Sequence, residues 1–480
     1  MLRVQGHTQR VCSGLTRRDA LRIGSAGLFG VNLLQVLAAE EQQRPSAFQR
    51  GRAKSVMFLF LFGGPSQLES FDMKPDASSS IRGPFHPIPS RTSGLRICEH
   101  LGQTANISDK LCVIRSMTHP HNDHNACHYI QTGHKWTRTA ANGSDVNALP
   151  TDWPSMGSVV EYLSRQQPDS HLRELPDYIY LPNRLGALQG YDRTGQYAGW
   201  LGSAYNALAT NIRKRDTSDN PYFRPCDDKE LDFRVQSLSP TEDLSLDRLD
   251  QRRNLLSQFD TVRRQLDQSD AYANYDRIQQ RALSLVTSEK MREAFDIQRE
   301  KDSTRDRYGR HLFGQSTLMG RRMVEAGARF VTVAWDAPDG YSWDSHRSAH
   351  HLEQHLLPGF DQAFSALIED LEQTGLLDET LVVAVGEMGR TPKGTDAWGR
   401  GHWSHCFPCV LAGAGVKTGM VYGTSDREAG YPIENAVSPE DLAKTIYWAL
   451  GIDPDLMLQD RLGRPVPMIE SGRPLTNLFG

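Results

Sequence analysis

Short, continuous apolar runs recur along this sequence, and they constrain its fold more than any other feature. The first run, SVMFLFLFGG over Ser55–Gly64, has no polar side chain between its ends and stops at two glycines. Five similar runs follow: LCVIRS from Leu111, DYIYLP from Asp177, RFVTVAW from Arg329, TLVVAVGE from Thr380 and CFPCVLAGAG from Cys406. Strands that are buried on both faces have this pattern, whereas a half-exposed strand alternates apolar and polar residues. The six runs therefore predict a central, covered sheet.

A helical pattern between two of these runs indicates how the strands are connected. Apolar residues recur at helical spacing, at Leu352, Leu356, Phe360, Phe364, Leu367 and Leu371. Pro358 interrupts the pattern, so we expect a kink or a break there. The order strand, helix, strand predicts an α/β fold with a doubly wound, mostly parallel sheet between helices.

One stretch has a different character and predicts an inserted helical subdomain over residues 239–322. It opens with Ser239-Pro240-Thr241-Glu242, which combines an N-cap, a first-turn proline and an acidic third helical residue. A highly charged helical pattern follows, with an apolar stripe formed by Leu249, Leu256, Phe259, Val262 and Leu266. The insertion divides the predicted α/β domain into residues 40–238 and 323–480. It would serve either as a lid or as a structural buttress.

Residues 1–39 have the character of an export signal rather than of a folded segment. The sequence TRRDALR begins at Thr16, and the apolar stretch Ile23–Ala39 that follows is short and interrupted by polar residues. The Arg17-Arg18 pair resembles a twin-arginine signal, so we expect export to the periplasm or the extracellular space. An ordinary secretory signal or an uncleaved anchor is the alternative. No later run approaches the ~20 apolar residues of a spanning helix, so we expect no membrane span after signal removal.

Charge balance and cysteine content argue against two classes of protein. The chain has 54 Lys+Arg against 58 Asp+Glu, a formal net charge of −4, so it lacks the basic excess of a nucleic-acid-binding protein. Its seven cysteines in 480 residues are too few for a disulfide scaffold. Cys406 and Cys409 form a C-x-x-C pair, but they lie in a predicted buried strand. Packing is therefore favoured over a redox or zinc role for them.

Histidines cluster in three windows, each placed where side chains from different strands could meet. The windows are HPHNDHNACHYIQTGH from His119, WDSH from Trp343 continuing to His355, and GHWSH from Gly401. In open α/β sheets, ligands bind beyond the carboxyl ends of the strands. Imidazole and carboxylate groups together suit divalent metals such as zinc or manganese. The windows therefore predict a metal site, with local capping and surface polarity as the alternative.

The segment VVAVGEMGRTPKG, from Val382 to Gly394, adds a glutamate and an arginine after a predicted strand. Glu387 could be a metal ligand or a base. Arg390 offers a planar fork of donors that suits a tetrahedral oxyanion. The alternative is a Glu–Arg pair on the surface.

Several of these motifs together resemble a known family. GEMGRTPKG, followed by GRGHWSHCFPCVLAGAGVKTGMVYG, resembles a family of exported bacterial proteins of unknown function with the signature GEFGRTP…DHW…AGGG. The FLFLFGGPSQLESFD opening, the RSMTHPHNDHNACHYIQTGH segment and the WDSH segment fit the same family. This family is similar to the alkaline phosphatase and sulfatase superfamily. The resemblance implies a sulfatase-like α/β fold and, by analogy, metal-assisted ester hydrolysis.

The resemblance also implies ligands at particular positions. In the superfamily the first strand ends in a metal-binding aspartate, whereas Gly63 and Gly64 stand at that place here. Substitute ligands would have to be Gln67, Glu69 or Asp72. The ligands of the other metal correspond to Asp344, His346 and His402, with Glu387 nearby. One divalent metal ion is therefore implied, either zinc, manganese or calcium, and the second metal position looks degraded.

The nucleophile is less well defined than the metal ligands. In the superfamily a Ser, Thr or Cys nucleophile lies shortly before a Thr-Gly pair, but counting back from Thr132-Gly133 leads to residues without a hydroxyl, Asp123 and His124. The attacking group could be Ser116, Thr118, Asp123 or a bound water. The candidate catalytic residues are therefore Glu387, Arg390, His124, Asp123 and Thr118.

Three functions are compatible with these features. The first is a sulfatase-like, metal-dependent hydrolase of sulfate or phosphate esters, with a small-molecule or polysaccharide substrate. The second is a non-catalytic binding protein on the same scaffold with a degraded metal site. The third and weakest is a redox protein that uses Cys406 and Cys409. The sequence does not define the oligomeric state.

Overall fold

Eight strands form one sheet in the residues that the computed structural model describes, namely 51–138, 145–168, 170, 173, 175–233, 288–336 and 342–480. The strands of the described chain are β1 (Ser55–Leu61), β2 (Pro87–Pro89), β3 (Arg96–Cys98), β4 (Leu111–Met117), β5 (Tyr178–Leu181), β6 (Leu208–Ala209), β7 (Phe330–Trp335), β8 (Thr380–Val385), β9 (Gly389–Arg390), β10 (His402–Trp403), β11 (Phe407–Ala412), β12 (Met420–Tyr422), β13 (Thr424–Ser425), β14 (Pro432–Glu434), β15 (Met457–Gln459) and β16 (Pro465–Pro467). The α-helices are α1 (Gly102–Asn106), α2 (Ala126–Thr132), α3 (Met156–Arg165), α4 (Glu289–Phe295), α5 (Asp302–Tyr308), α6 (Leu312–Ala326), α7 (Leu357–Gln373) and α8 (Pro439–Ala449).

The central sheet has the order β12-β4-β11-β8-β1-β7-β5-β6 and is mostly parallel. Only β11 runs against its neighbours, β4 and β8, while the other pairs in the sheet are parallel. Each of the six predicted apolar runs coincides with one of its strands to within a few residues, so the prediction of a doubly wound, mostly parallel α/β sheet is confirmed. Strands from both sides of the predicted insertion lie in this one sheet.

The central strand β1 is buried along its whole length because helices cover both faces of the sheet. Side chains alternate between the faces of a strand. Met57 and Leu59 point to one face and join a core cluster with residues of α6 and α7. Phe58 points to the other face and packs against Phe330 of β7, which in turn contacts Tyr178 near α3. Covered faces explain why β1 carries no polar side chain in its interior.

At Pro358, where the sequence predicts a kink or a break, the helix changes type without leaving the helical conformation. A π-helical turn, Leu352–Leu356, leads directly into α7, and Pro358 lies in the first turn of that α-helix. Proline is tolerated there because the first N–H groups of a helix have no partner within the helix. The apolar stripe continues through Phe360, Phe364 and Leu367 into the core.

Two predicted segments lie wholly or partly outside the described residues. The export signal, residues 1–39, is outside them, and so is the insertion up to residue 287, with its predicted helix start at Ser239. The described remainder of the insertion contains α4, α5 and most of α6, and α6 packs on β1 and β7. Among the helices of the described residues, none combines the length and the apolar character needed to cross a membrane.

Candidate functional site

The three histidine windows meet at one edge of the sheet. The loops after β1, β4, β7 and β8 lie at the carboxyl edge that these parallel strands share. Because β11 is antiparallel, the residues that precede it, including the β9–β10 ribbon, lie at the same edge. Residues far apart in sequence therefore converge where open α/β sheets bind ligands.

Four side chains, His124, Asp344, His346 and His402, form what we call the histidine–aspartate cluster. His124 Nε2 lies 3.3 Å from Asp344 Oδ2, and His402 Nε2 lies 3.2 Å from Asp344 Oδ1. His346 Nε2 lies 3.0 Å from Asp344 Oδ1 and 2.9 Å from His402 Nε2. In the described chain, ligand atoms of His124, Asp344 and His402 lie within 4.8 Å of one another. The structure thus brings together the three predicted metal ligands of the second and third windows and adds His124.

The donor set of the cluster fits a small divalent cation. Four ligand atoms around a tetrahedral zinc ion, each bonded at ~2.0–2.1 Å, lie ~3.3 Å apart. The separations among His346 Nε2, His402 Nε2 and Asp344 Oδ1, from 2.9 to 3.2 Å, are close to that spacing, and His124 Nε2 approaches the other carboxylate oxygen of Asp344 at 3.3 Å. Three imidazoles and one carboxylate are the ligands that zinc and related metals prefer, whereas calcium requires ~6–8 oxygen ligands.

Glu387 lies behind His124 rather than beside the other ligand atoms. Its carboxylate is fully buried and accepts a hydrogen bond from His124 Nδ1 at 2.8 Å and from the Gly63 N–H at 2.9 and 3.1 Å. A carboxylate on Nδ1 fixes the histidine tautomer and leaves Nε2 facing a metal position. Burial acts to lower the pKa of His124, but hydrogen bonds to Asp344 and Glu387 outweigh burial and raise this pKa to about 9. Glu387 therefore orients His124.

Arg390 is also buried, and it holds Asp344 in place. Its guanidinium donates to Asp344 Oδ1 at 2.5 Å, to the Gly64 carbonyl at 3.0 Å, and to the carbonyls of Gly63 and Arg400. Burial acts to raise the pKa of Asp344, but hydrogen bonds from His124 and His402 and the charge of Arg390 bring that pKa well below its ordinary range. Most of the donors expected to bind an oxyanion are thus engaged with the protein itself.

Asp123 and Thr118 take structural positions near the cluster. Asp123 Oδ1 accepts a hydrogen bond from the Asn125 N–H at 2.8 Å, just before helix α2 begins. The Thr118 N–H donates to the Val437 carbonyl at 2.9 Å. Within the described residues, neither side chain has a hydrogen bond or an ion pair to the cluster.

The residues considered as substitutes for the missing aspartate are engaged elsewhere. The Gln67 amide bonds the backbone of Arg390 and of Ala429, and Glu69 forms a buried ion pair with Arg400 at 2.6 Å. Asp72 accepts a hydrogen bond from Ser425 and pairs with Lys74 at 3.0 Å and with Arg115 at 3.5 Å. The structure brings none of the three into the cluster.

Sequence reasoning missed one residue that connects two histidine windows. The Asn122 side chain donates to the His402 carbonyl at 3.1 Å and accepts from the Ser404 N–H at 2.9 Å. The His119 N–H also donates to the Ser404 carbonyl, at 3.0 Å. Asn122 therefore fixes the loop that carries His124 against the ribbon that carries His402. Its position inside HPHNDH was the only available signal.

Cys409 of the C-x-x-C pair lies in β11, and Cys406 directly precedes that strand. Cys406 and Cys409 are both buried and carry free thiols. Burial raises the pKa of Cys406 to about 12 and that of Cys409 still further. Because the thiolate is the reactive form, this environment favours packing over redox chemistry.

Residues 53–479 match a protein family described as "Protein of unknown function (DUF1501)". No curated protein matches the sequence. Among solved structures, phosphonate monoester hydrolase SpPMH from Silicibacter pomeroyi is similar at 12% identity, with 88% of this chain and 76% of that chain covered and a TM-score of 0.36. PsFucS1 sulfatase from Pseudoalteromonas sp. is similar at 12% identity, with coverages of 92% and 73% and a TM-score of 0.36. Ps i-CgsB in complex with k-i-k-neocarrahexaose is similar at 11% identity, with coverages of 84% and 73% and a TM-score of 0.39.

Proposed function

The chain belongs to the DUF1501 family, whose description names no activity, and we propose from its site that it is a metal-dependent hydrolase of sulfate or phosphate esters. The observation that carries this proposal is the histidine–aspartate cluster at the carboxyl edge of the sheet. The motif resemblance to the sulfatase and alkaline phosphatase superfamily supports the same reaction. The substrate is a small-molecule or polysaccharide ester.

The cluster would hold one divalent cation, with zinc favoured over manganese and calcium because three of the four donors are imidazoles. When bound, such a cation activates water and offsets negative charge on the ester oxygens. The protein's own residues prepare the site. Glu387 keeps the proton of His124 on Nδ1, and Arg390 keeps Asp344 ionised and oriented.

Water is the nucleophile that the arrangement favours. The Ser116 hydroxyl donates to the Asn435 carbonyl at 2.6 Å, and the Thr118 side chain has no hydrogen bond to the cluster within the described residues. Attack by water forms a new bond from its oxygen to sulfur or phosphorus. The ester bond to the alcohol oxygen breaks, one proton of the water goes to that leaving group, and the other is released.

A binding protein remains the second candidate, because the donors of Arg390 are largely engaged with backbone carbonyls and Asp344. In this candidate the metal site is degraded, and the protein binds an anionic ester without turnover. The two candidates therefore differ in metal binding and in hydrolysis.

The test combines metal analysis with a panel of aryl sulfates and aryl phosphates, applied to the full chain and to His402→Ala, Asp344→Asn and His350→Ala. His350 is an exposed histidine four positions after His346 in sequence and serves as the matched control. We expect about one zinc ion per chain and turnover in the wild type and in His350→Ala, and loss of both in the other two variants. A folded wild type that neither binds metal nor hydrolyses any ester of the panel would contradict the hydrolase and favour the binding protein. Clear turnover in the wild type would exclude the binding protein.

We also propose that the chain works in the periplasm or outside the cell, exported through the Arg17-Arg18 signal. Replacing both arginines with lysine keeps the charge but removes the paired guanidinium groups. The double variant should accumulate in the cytoplasm in cell fractionation. Undiminished export would contradict a twin-arginine route.

A further inference from the structure

His346 is the most exposed member of the histidine–aspartate cluster. Its side chain is 45% exposed, against 16% for His124, 22% for His402 and 26% for Asp344. The other three therefore lie deeper in the edge of the sheet, and His346 covers them from the solvent side.

The four residues also differ in what holds them. Glu387 hydrogen-bonds the His124 ring, and Arg390 hydrogen-bonds the Asp344 carboxylate. His402 lies in the β9–β10 ladder, opposite Arg390, and its carbonyl accepts a hydrogen bond from Asn122.

The His346 ring has no comparable support. Within the described residues, the hydrogen bonds, ion pairs and ring contacts of its side chain are limited to the cluster itself, namely Asp344 Oδ1 and the His402 ring. Its backbone belongs to the tight turn in which the His346 N–H donates to the Asp344 carbonyl. Rotation of its ring toward solvent would therefore break no polar or ring contact outside the cluster.

Four protein ligands close a tetrahedral site, whereas catalytic zinc sites keep one position for substrate or water. His124, Asp344 and His402 already form a three-residue ligand set. On the basis of the proposed function, we propose that His346 is a displaceable fourth ligand, which occupies the substrate position at rest and is replaced by an oxygen of a sulfate or phosphate group. The exchange swaps a neutral imidazole nitrogen for an anionic oxygen, and no covalent bond within the protein or the ester changes.

The proposal separates two properties that a permanent ligand would couple, namely metal affinity and anion affinity. Removing His346 should affect metal binding weakly, because the three supported ligands remain. It should strengthen anion binding, because no imidazole competes for the position. Removing His402 should instead weaken metal binding strongly, because it takes one ligand from the set of His124, Asp344 and His402.

The test loads the full chain with Co²⁺, whose visible absorption reports the number and type of its ligands. Metal affinity is measured by competition with a chelator, and inorganic phosphate is then titrated into the wild type, His346→Ala, His402→Ala and the control His350→Ala. We expect His346→Ala to lose less than about tenfold in Co²⁺ affinity, against more than about 100-fold for His402→Ala. We expect phosphate to bind at least about tenfold more tightly to His346→Ala than to the wild type, at one site.

The possible results distinguish the two proposals. If His346→Ala loses as much Co²⁺ affinity as His402→Ala, or binds phosphate no more tightly than the wild type, His346 is not a displaceable ligand, while the metal site stands. If the folded wild type binds no Co²⁺, the metal site and the role of His346 both fail.

Discussion

The buried ion pair between Glu69 and Arg400 connects the segment after β1 to the residue two positions before His402. Arg400 Nε and Nη2 both reach the Glu69 carboxylate, at 2.6 to 3.0 Å, and both side chains are only 1% exposed. Arg400 also donates to the carbonyls of Ile81 at 2.8 Å and Thr391 at 3.1 Å. We predict that Glu69→Gln, which keeps size but removes the charge, strongly destabilises the fold.

The size of the destabilisation follows from the burial of the ion pair. Breaking a buried pair by neutralising one partner leaves an uncompensated charge and costs about 3–5 kcal/mol. At 480 residues, unfolding entropy of ~2.1 cal/mol/K per residue sums to ~1 kcal/mol/K. Glu69→Gln should therefore lower the Tm by about 3–5 °C.

The assay is thermal unfolding at pH 7, followed by tryptophan fluorescence. The matched control is Glu379→Gln, because the pair of Glu379 with Lys54 is exposed, at 47% and 74%. An exposed pair contributes about 0–1 kcal/mol, so the control should shift the Tm by less than about 1 °C. If Glu69→Gln shifts the Tm no more than the control does, Arg400 does not depend on Glu69 for charge compensation, and the reasoning is wrong.

Three further predictions concern the site and its surroundings. Glu387→Gln should lower zinc affinity by about 10–100-fold in calorimetric titration, because it removes the carboxylate behind His124; an unchanged affinity would refute that role. Asn122→Ala should lower zinc affinity by about fivefold in the same titration, since the lost hydrogen bond to the His402 carbonyl is worth ~1 kcal/mol. An unchanged zinc affinity would show that Asn122 does not position His402. Burial lowers the pKa of His128 to about 3 from an ordinary 6.5, so its contribution to stability is present above pH 6.5 and declines as the pH falls toward 3. In His128→Gln the urea midpoint should vary less with pH in this window, and the free energy of unfolding should lose up to ~5 kcal/mol less as the pH falls. An unchanged pH dependence would show that His128 does not cause it.

The strands could be predicted because burial on both faces leaves an unmistakable apolar run. Each of the six runs coincides with a strand to within a few residues, and β1 begins where its run begins and ends at Leu61. The edge strands β6 and β12 were missed because they are two and three residues long and partly exposed. The antiparallel direction of β11 also could not be predicted from the sequence. The β9–β10 ribbon keeps the chain at the carboxyl edge after β8, so β11 must begin at that edge and run back.

The convergence of the histidine windows could be anticipated because the carboxyl ends of parallel strands meet at one edge. The partner of each buried charged side chain could not be anticipated from the sequence. Glu387 and Glu69 both follow apolar strands, yet Glu387 bonds the Gly63 N–H and the His124 ring, whereas Glu69 pairs with Arg400. These partners lie hundreds of residues away in sequence, so only packing decides between them. Spacing therefore identified the candidate residues but not the division of roles among them.

Gly63 explains why no side chain from the end of β1 takes part in this division of roles. Its φ of +110° lies in the region that favours glycine, and a Cβ built on it would lie 2.4 Å from the backbone nitrogen of Asp344. No side chain fits at this position, because the turn that carries Asp344 occupies the space. The bare Gly63 N–H can then approach Glu387, and Glu387 in turn orients His124. The bare backbone at Gly63 and the orientation of His124 thus have the same structural cause: the turn that carries Asp344 packs directly against the backbone that follows β1.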